Sequence, residues 1–294
     1  MPEKLKFTVP PDSDGKPAKF FFREHCKLST RMITRLKREK DGILRNGKIL
    51  RTVDKVCAGD EIIITLPQEE ASFITPVNGT LDIVYEDTHL LVLNKPCFMP
   101  VHPVKQHQAD TLANIVAYRM EQRRESYVFR AINRLDRDTS GLVMIAKDKF
   151  TANSLKNAVY KEYFALVHGE IKGGGTISAP IGLHEDSKIV RHVVEHGAPA
   201  ITHYAVLSSN KEYSFLRLWL ETGKTHQIRC HMAHLGFPLL GDDLYGGKRD
   251  KINRQALHCA MMRFAHPVTG ECLELCAPLP KDMQSILHNC TNKY

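Results

Sequence analysis

An alternation of acidic and basic residues directly precedes one of the most apolar runs of the chain. Residues 134–138 read RLDRD, residues 139–141 read TSG, and residues 142–146 are all apolar. Charged side chains beside a buried strand are costly unless each has a partner or a task. We therefore expect a charged loop that a core strand holds rigidly, an arrangement that presents a reactive group at a fixed position.

The composition is that of an ordinary globular protein. Of the 294 residues, 43% are hydrophobic and 25% are charged, and this length suggests one large domain and a small one. No stretch approaches the roughly 20 apolar residues that span a bilayer, and the polar start does not resemble an export signal. We expect a cytoplasmic protein without a membrane partner, whose scattered cysteines are free thiols and form no metal site.

Positive charge is concentrated in one short part of the chain. Residues 16–51 contain twelve Lys or Arg and three acids, an excess of +9, whereas the whole chain carries +8. The remainder is therefore close to neutral. A basic segment attached to a nearly neutral body indicates a polyanionic partner, most simply nucleic acid.

The basic segment has a helical pattern at its centre. Ser29 or Thr30 is a suitable N-cap for a helix over residues 31–38. In that helix the residues at i, i+4 and i+7 share one exposed ridge, and all three are arginines. They are Arg31, Arg35 and Arg38.

A hairpin and a strand follow this helix. Asn46 and Gly47 lie between apolar residues, which is a strong hairpin signal, and residues 62–66 have strand composition. This order of elements resembles the alpha-L RNA-binding fold, named from a small-subunit ribosomal protein. We predict an N-terminal extension over 1–15, an alpha-L-type RNA-binding domain over 16–67 and a linker over 68–79.

The remaining residues, 80–294, contain more strands than helices. The sequence pattern predicts helices at 111–120 and 151–159, and strands at 81–85, 90–94, 142–146, 162–168, 202–207, 215–221 and 256–264. Because these strands do not alternate regularly with helices, a doubly wound parallel sheet is disfavoured. The expected fold class is α+β, with a mixed, mostly antiparallel central sheet and flanking helices, preceded by the small RNA-binding domain.

Two further segments carry polar residues that packing of a hydrophobic core does not require. Residues 160–163 read YKEY at the head of a predicted strand, and residues 222–231 read TGKTHQIRCH. Thr225 is a plausible N-cap and Gly236 a C-terminal stop, so we predict a short helix over 225–235. The polar residues at its start favour binding of an anion or a carboxylate.

Together these segments resemble the RluA-type pseudouridine synthase family. The resemblance rests on NRLDRDTSGL at 133–142, K-x-Y at 161–163, TGKTHQIRCH at 222–231 and the lead-in LLVLNKP…VHP at 90–103, in the family's order. It implies a pseudouridine synthase catalytic domain over 80–294, which isomerises uridine in RNA to pseudouridine. It also implies that no cofactor and no metal is needed, because the reaction exchanges no electron, group or water.

The resemblance assigns roles to four residues. Asp136 would be the nucleophile, and Arg229 would pair with it. Arg134 would enter the space that the base leaves when the nucleotide flips out. Tyr163 would lie against the uracil, as a stacking platform or also as the group that takes the proton.

Other residues of these segments are expected to contact substrate or RNA. They are Asn133, Lys161, Lys224, His226, Gln227, Ile228, Arg31, Arg35, Lys37, Arg38 and Lys48. Asn133 stands where the family usually has His, which puts a titrating role at that position in doubt. We expect a monomer whose first expected substrate is ribosomal RNA, with tRNA second.

Two other functions stay open at this point. A non-catalytic RNA-binding protein is disfavoured because Asp136, Tyr163 and Arg229 are all present. A glycoside hydrolase would use Asp136 and Asp138 as an acid pair. Asp138 more simply pairs with Arg137 or caps the turn that follows it.

Overall fold

The computed structural model describes residues 4–39, 41–66, 74–125, 128–184, 187 and 189–291. These residues form a smaller hydrophobic core near the N-terminus and a larger core around a central sheet. Of the predicted linker over 68–79, residues 68–73 lie outside the described ranges. In its remaining part, Thr75 and Val77 already bond to Asn114 of the larger domain.

The N-terminal unit combines a small sheet with two short helices. Its elements are β1 (Lys4–Thr8), α1 (Ala18–Glu24), α2 (Thr30–Leu36), β2 (Ile43–Arg45), β3 (Lys48–Ile49) and β4 (Glu61–Thr65). The strand order is β1-β4-β2-β3, and each neighbouring pair is antiparallel.

The local sequence signals in this unit are confirmed. The Ser29 hydroxyl accepts a hydrogen bond from the Met32 amide at 3.2 Å, so it caps α2. Asn46 and Gly47 have φ values of 48° and 79°. Positive φ at both central residues is what a tight two-residue hairpin turn requires.

The predicted N-terminal extension over 1–15 is wrong where the structure describes it. Residues Lys4–Thr8 form β1, which pairs with all five residues of β4, and Leu5 is buried in the small core. Five alternating residues are too few to identify a strand whose partner lies more than fifty residues later. The domain therefore begins with β1.

The larger domain carries the remaining elements. They are β5 (Ile83–Glu86), β6 (Leu90–Lys95), α3 (Leu112–Gln122), β7 (Ser140–Ala146), α4 (Lys149–Leu155), β8 (Tyr160–His168), β9 (Gly175–Ser178), β10 (Ile181–Leu183), β11 (Arg191–Val193), β12 (Ile201–Ser209), β13 (Tyr213–Leu220), α5 (Gln227–His234), β14 (Leu257–Ala265), β15 (Cys272–Cys276) and α6 (Lys281–Thr291). All the predicted strands are present. The short strands β9, β10, β11 and β15 and the helix α6 were not predicted.

The central sheet is mixed and mostly antiparallel, which confirms the expected α+β class. Its order is β5-β6-β7-β14-β8-β13-β12-β9, and β15 pairs with β14. The pair β14–β7 is parallel, and the other pairs of described strands in this sheet are antiparallel. Strands β10 and β11 form a separate hairpin sheet.

Strand β7 fixes the charged loop that precedes it. All seven of its residues are buried, so its start cannot shift without disturbing the core. Gly141 has φ +111°, and a Cβ there would lie 2.2 Å from the carbonyl oxygen of Cys259 in β14. Glycine is therefore required where β14 approaches β7.

The two cores touch through the start of α4. Asp148 caps this helix by accepting from the Thr151 amide at 2.7 Å, so α4 begins before the predicted residue 151. Phe150 is buried among the N-terminal core residues and meets Phe7 edge-on at 6.0 Å between ring centroids. Asn153 donates a hydrogen bond to the Lys27 carbonyl. The N-terminal unit thus packs directly on α4.

Candidate active site

The loop before β7 is held from both sides. The Thr139 amide donates to the Asp136 carbonyl at 3.1 Å, which closes a tight turn. The buried Lys95 ammonium donates to the carbonyls of Arg137, Met99 and Pro96 at 3.1, 2.8 and 2.7 Å. Three acceptors match the three N–H groups of an ammonium, so Lys95 fastens this loop to the segment after β6.

Asp136 faces Arg229, as the resemblance implied. Arg229 Nη1 lies 2.9 Å from Asp136 Oδ2. The same guanidinium makes two hydrogen bonds of 2.7 Å to Asp242, from Nε and Nη2. Arg229 therefore bridges a fully buried carboxylate and one that is 29% exposed.

This double pairing keeps Arg229 charged and oriented. Burial alone lowers its pKa, but the hydrogen bonds and charges of Asp242 and Asp136 outweigh burial and raise the pKa above its ordinary range. The Tyr245 ring lies 5.0 Å from the guanidinium carbon and adds a cation–π contact. A bidentate pair fixes the guanidinium plane, so Nη1 points at Asp136 in one direction.

His226 is the second group beside the carboxylate. Its Nε2 lies 3.6 Å from Asp136 Oδ2. The Tyr245 hydroxyl accepts from the Arg191 amide at 2.9 Å, so its own hydrogen can be donated to His226 Nδ1, 3.1 Å away. That arrangement assigns the neutral imidazole its proton at Nε2, toward Asp136. Burial lowers the pKa of His226, although the Asp136 charge partly opposes this.

Tyr163 lies deep in the sheet, where β8 runs between β13 and β14. Its cross-strand partner on β14 is Cys259. Burial, followed by the neighbouring Cys259 thiol and the Asp136 charge, holds the pKa of Tyr163 well above its ordinary value. The phenol is therefore protonated at neutral pH, and Tyr163 lines the same cavity as Asp136.

A small open cavity of about 70 Å³ collects these groups. Its lining includes Arg134, Leu135, Asp136, Thr139, Tyr163, Leu220, Lys224, His226, Gln227, Ile228, Arg229 and Leu257. Apolar side chains and an aromatic ring form part of the wall, while the carboxylate and the cations lie together. Such a site suits one flat, apolar-faced group whose reacting atom meets Asp136.

Two predicted contact residues, Asn133 and Lys161, bond to backbone groups of the protein itself. Asn133 donates to the Leu142 carbonyl at 3.0 Å and accepts from the Met144 amide at 2.9 Å. Lys161 donates to the Val159 carbonyl at 3.1 Å and does not line the cavity. Asn133 thus ties the loop to β7, because an amide can satisfy a strand edge with both its donor and its acceptor.

Gln227 lines the cavity, but its amide is used inside the protein. Its oxygen accepts from the Thr222 hydroxyl and the Lys224 amide, both at 2.9 Å. Its nitrogen donates at 3.0 Å to the Ile201 carbonyl and the Thr202 hydroxyl. Gln227 therefore shapes the segment that carries Lys224 and His226.

The start of α5 differs from the prediction. The predicted helix over 225–235 begins at Gln227, and its N-cap is His226, in the left-handed region at φ 56° without a side-chain cap bond. Thr225 is thus not the cap. The Gln227 contacts pin the preceding turn, and this conformation directs His226 toward Asp136.

The second acid of the loop is neutralised locally. Arg137 binds Asp138 with two hydrogen bonds, Nε to Oδ1 at 2.7 Å and Nη2 to Oδ2 at 3.1 Å. This confirms the pairing predicted for Asp138. A glycosidase needs a second free carboxyl group facing Asp136, and Asp138 does not line the cavity.

Sequence reasoning missed Asp242 and Tyr245. Both belong to the segment GDDLYGG at 241–247, where Asp242 is buried and Tyr245 is half-buried. The available signal was a pair of acids between glycines, beside a helix whose buried arginine needed charge compensation. That signal is weak, because acids next to glycine are ordinary in turns.

The five cations of the N-terminal unit that were expected to contact RNA divide into two groups. Arg31, Arg35 and Arg38 line one cleft with residues of α4. Lys37 lines a separate depression beside β3, and Lys48 is exposed on β3 itself. Within the described ranges, no group of three or more His, Cys, Asp or Glu is placed to hold a metal, and no helix is long and apolar enough to cross a membrane.

Comparisons with known proteins identify the family of this chain. Residues 89–234 match the family model described as RNA pseudouridylate synthase. The chain is 39% identical over 269 residues to the Bacillus subtilis protein named uncharacterized RNA pseudouridine synthase YjbO, covering 88% of this chain and 94% of that protein. It is 38% identical to ribosomal large subunit pseudouridine synthase D of Haemophilus influenzae, covering 80% and 78% of the two chains.

A solved structure has the same fold over about three quarters of the chain. Human RNA pseudouridylate synthase domain containing 1 superposes with a TM-score of 0.56 at 27% identity, covering 77% of this chain and 98% of that one. The similarity to the relatives extends over most of the chain and includes the loop of Asp136 and the helix of Arg229. The chain therefore belongs to the RluA-type family of RNA pseudouridine synthases.

Proposed function

We propose that this RNA pseudouridine synthase uses Asp136 as its nucleophile on a uridine flipped out of structured ribosomal RNA. The observation that carries the assignment is the bridge from Asp242 through Arg229 to Asp136. A carboxylate attacks only when it is ionised, and a buried guanidinium beside it favours the ionised form.

In this proposal the two oxygens of Asp136 have separate roles. Arg229 and His226 both approach Oδ2, and Oδ1 attacks C1′ of the ribose. The bond from C1′ to N1 of uracil breaks as the bond to Asp136 forms. The base, released with a negative charge at N1, then turns, and C5 bonds to C1′ as the bond from C1′ to the carboxylate breaks. The hydrogen at C5 departs as a proton, and N1 takes up a proton.

Tyr163 and Arg134 support the flipped nucleotide. Tyr163 lines the cavity beside Asp136, where an aromatic face provides a stacking platform worth about 1–3 kcal/mol. Arg134 is exposed on the same rim and fills the gap in the RNA stack. Its positive charge offsets part of the flipping cost of a few kcal/mol.

Ribosomal RNA is the proposed substrate, because several relatives carry the name ribosomal large subunit pseudouridine synthase D. The N-terminal unit, with two helices before a hairpin and a basic helix face, supports the alpha-L-type RNA-binding assignment. Its excess of positive charge supplies affinity for phosphates that falls steeply with salt.

The test is tritium release from RNA labelled at uracil C5, comparing the wild type with Asp136→Asn. Forming the new bond at C5 must expel that hydrogen, so the wild type releases tritium and Asp136→Asn does not, while both bind RNA. Near-normal release by Asp136→Asn would refute the nucleophile assignment. Both RNAs are taken from a strain that lacks the protein. Tritium release from tRNA but not from large-subunit RNA would overturn the assignment of ribosomal RNA as the substrate.

A further inference from the structure

A cleft of about 910 Å³ lies between the N-terminal unit and the larger domain, outside the active site. Helix α2 with the residues just before it forms one wall, and α4 forms the other. The cations that line it are Lys27, Arg31, Arg35, Arg38, Lys149 and Lys156. Glu39 is the acid among its lining residues, so six cations and one acid line the cleft within the part of the chain that the structure describes.

The two walls are fixed to each other. Phe150 at the start of α4 is buried in the core of the N-terminal unit, and it lines the floor of the cleft with Leu28 and Met32. The Asn153 amide donates to the Lys27 carbonyl across the boundary. The cleft is therefore a preformed groove with a packed floor.

The positive charges are close enough to affect one another. Burial lowers the pKa of Lys149, and the next contributions come from the charges of Arg35, Arg130 and Arg31. Two of these arginines belong to the N-terminal unit, so the potential of one wall reaches the other. A concave surface of one sign concentrates its field and favours a polyanion.

Neutral donors complete the lining. The side chains of Ser29, Thr30 and Asn153 stand among the cations. Lys and Arg together with hydroxyl and amide groups are the side chains that usually contact phosphate and sugar oxygens. Phe150 is the aromatic residue among the described lining residues, and its ring is buried, so these residues offer no aromatic face for stacking a base. The lining therefore suits a backbone and not an unstacked base.

We propose that this cleft binds a stretch of RNA phosphodiester backbone between its walls, so that α4 of the catalytic domain and α2 contact the same RNA segment. The proposal rests on the proposed function and adds a binding site formed by both domains. The catalytic motifs include neither Lys149 nor Lys156. Because the walls are fixed, the bound segment lies at a set distance from Asp136, which restricts which uridines reach the active site.

The experiment compares three double variants of the full chain. Lys149→Glu with Lys156→Glu reverses the α4 wall, and Lys149→Arg with Lys156→Arg keeps its charge. Lys172→Glu with Lys211→Glu makes the same change in net charge at exposed positions that do not line the cleft. The probe is large-subunit ribosomal RNA transcribed in vitro, and Kd is measured over a series of salt concentrations.

We expect the reversed α4 wall to weaken binding at least about tenfold and to reduce the slope of log K against log salt by about 1.4 to 1.8, for two lost phosphate contacts. The arginine variant should bind like the wild type. In tritium release the reversed variant should raise KM and retain kcat at saturating RNA. A response equal to that of the Lys172→Glu, Lys211→Glu variant would overturn the proposal.

The two proposals fail in different ways. If the wild type neither binds this RNA nor releases tritium from it, the substrate assignment is wrong. If the wild type binds and reacts while the α4 variant is unaffected, the cleft assignment is wrong and the proposed function stands. Loss of an acidic protein partner from the α4 variant, with unchanged RNA affinity, would likewise overturn the RNA assignment of the cleft.

Discussion

Arg229 and Asp242 form a buried bidentate ion pair, with both donor–acceptor distances at 2.7 Å. Because Asp242 occupies Nε and Nη2, Nη1 of the same guanidinium is left to bind Asp136 at 2.9 Å. Asp242 thus sets the direction from which the proposed nucleophile is held. The proposed active site therefore depends on a carboxylate that does not itself line the cavity.

Replacing Asp242 with Asn should therefore impair catalysis without a direct substrate contact. The amide retains the shape but loses the charge, and one donor of Arg229 is left poorly paired. We expect kcat for tritium release to fall about 10²-fold, as a misplacement of about 1 Å can cause, and thermal stability to decrease. Asp243→Asn is the control, because Asp243 is exposed and pairs with Arg249. Equal kcat values for both variants would contradict this role.

Tyr163→Phe separates the two roles of this tyrosine. Phenylalanine keeps the ring and its stacking surface but removes the hydroxyl. If the hydroxyl moves a proton, kcat should fall about 10²-fold or more while RNA affinity changes little. Single-turnover tritium release together with an RNA-binding titration measures both quantities. Unchanged turnover would show that the ring serves as a platform alone.

Tyr245→Phe tests how the His226 tautomer is held. The Tyr245 hydroxyl links the Arg191 amide to His226 Nδ1, and removing it leaves that nitrogen without its donor. The loss of one hydrogen bond of about 1 kcal/mol corresponds to a decrease in kcat of about fivefold. His226→Gln is the companion variant, and the two changes combined should cost less than their sum. Additive losses would show that the two residues act separately.

Stability should depend on pH through His258. This residue in β14 faces Ser140 Oγ at 2.9 Å from Nδ1 and the Ala277 carbonyl at 3.4 Å from Nε2. Burial lowers its pKa from 6.5 to about 4, so between these pH values the unfolded chain binds a proton that the folded protein does not. Stability is therefore fully present above pH 6.5 and decreases as the pH falls toward 4, by roughly 3 kcal/mol.

Urea unfolding at several pH values measures this dependence, with His258→Gln as the comparison. The variant removes the titrating group, so its stability should fall less steeply over the same acidic range. His288, which lies on α6 and bonds to the Gln284 carbonyl, offers a control substitution elsewhere in the domain. Parallel curves for the wild type and His258→Gln would rule out His258 as the source.

Several features of the fold were decided by short stretches of sequence. Ser29 caps α2 because a hydroxyl just before a helix satisfies a free amide. Asn46 and Gly47 specify their hairpin because both tolerate positive φ. The motif around Asp136 was also identifiable, since a dense charge pattern beside a buried strand has few structural explanations. Each of these features involves residues only a few positions apart in the chain, so periodicity and composition reveal it.

Partners from distant parts of the chain depended on the tertiary structure. The sequence predicts an extension over residues 1–15 because it shows no pairing partner near β1. The strand that pairs with β1 is β4, far along the chain. Asp242 escaped detection because its importance arises only when the turn after α5 meets Arg229. Asn133 and Gln227 are expected substrate contacts, and their amides also hold backbone groups of other elements. None of these long-range contacts leaves a periodic signal in the sequence.

Composition and motifs were enough to predict the α+β class, a basic N-terminal unit, and Asp136, Tyr163 and Arg229 as candidate catalytic residues. Which groups surround the Asp136 carboxylate, and that Lys149 of α4 lines one cleft with the arginines of α2, depended on the folded arrangement. The physical reason is the range of the interactions. Caps, turns and periodic burial act over a few residues, whereas ion pairs and concave surfaces form wherever folding brings distant side chains together.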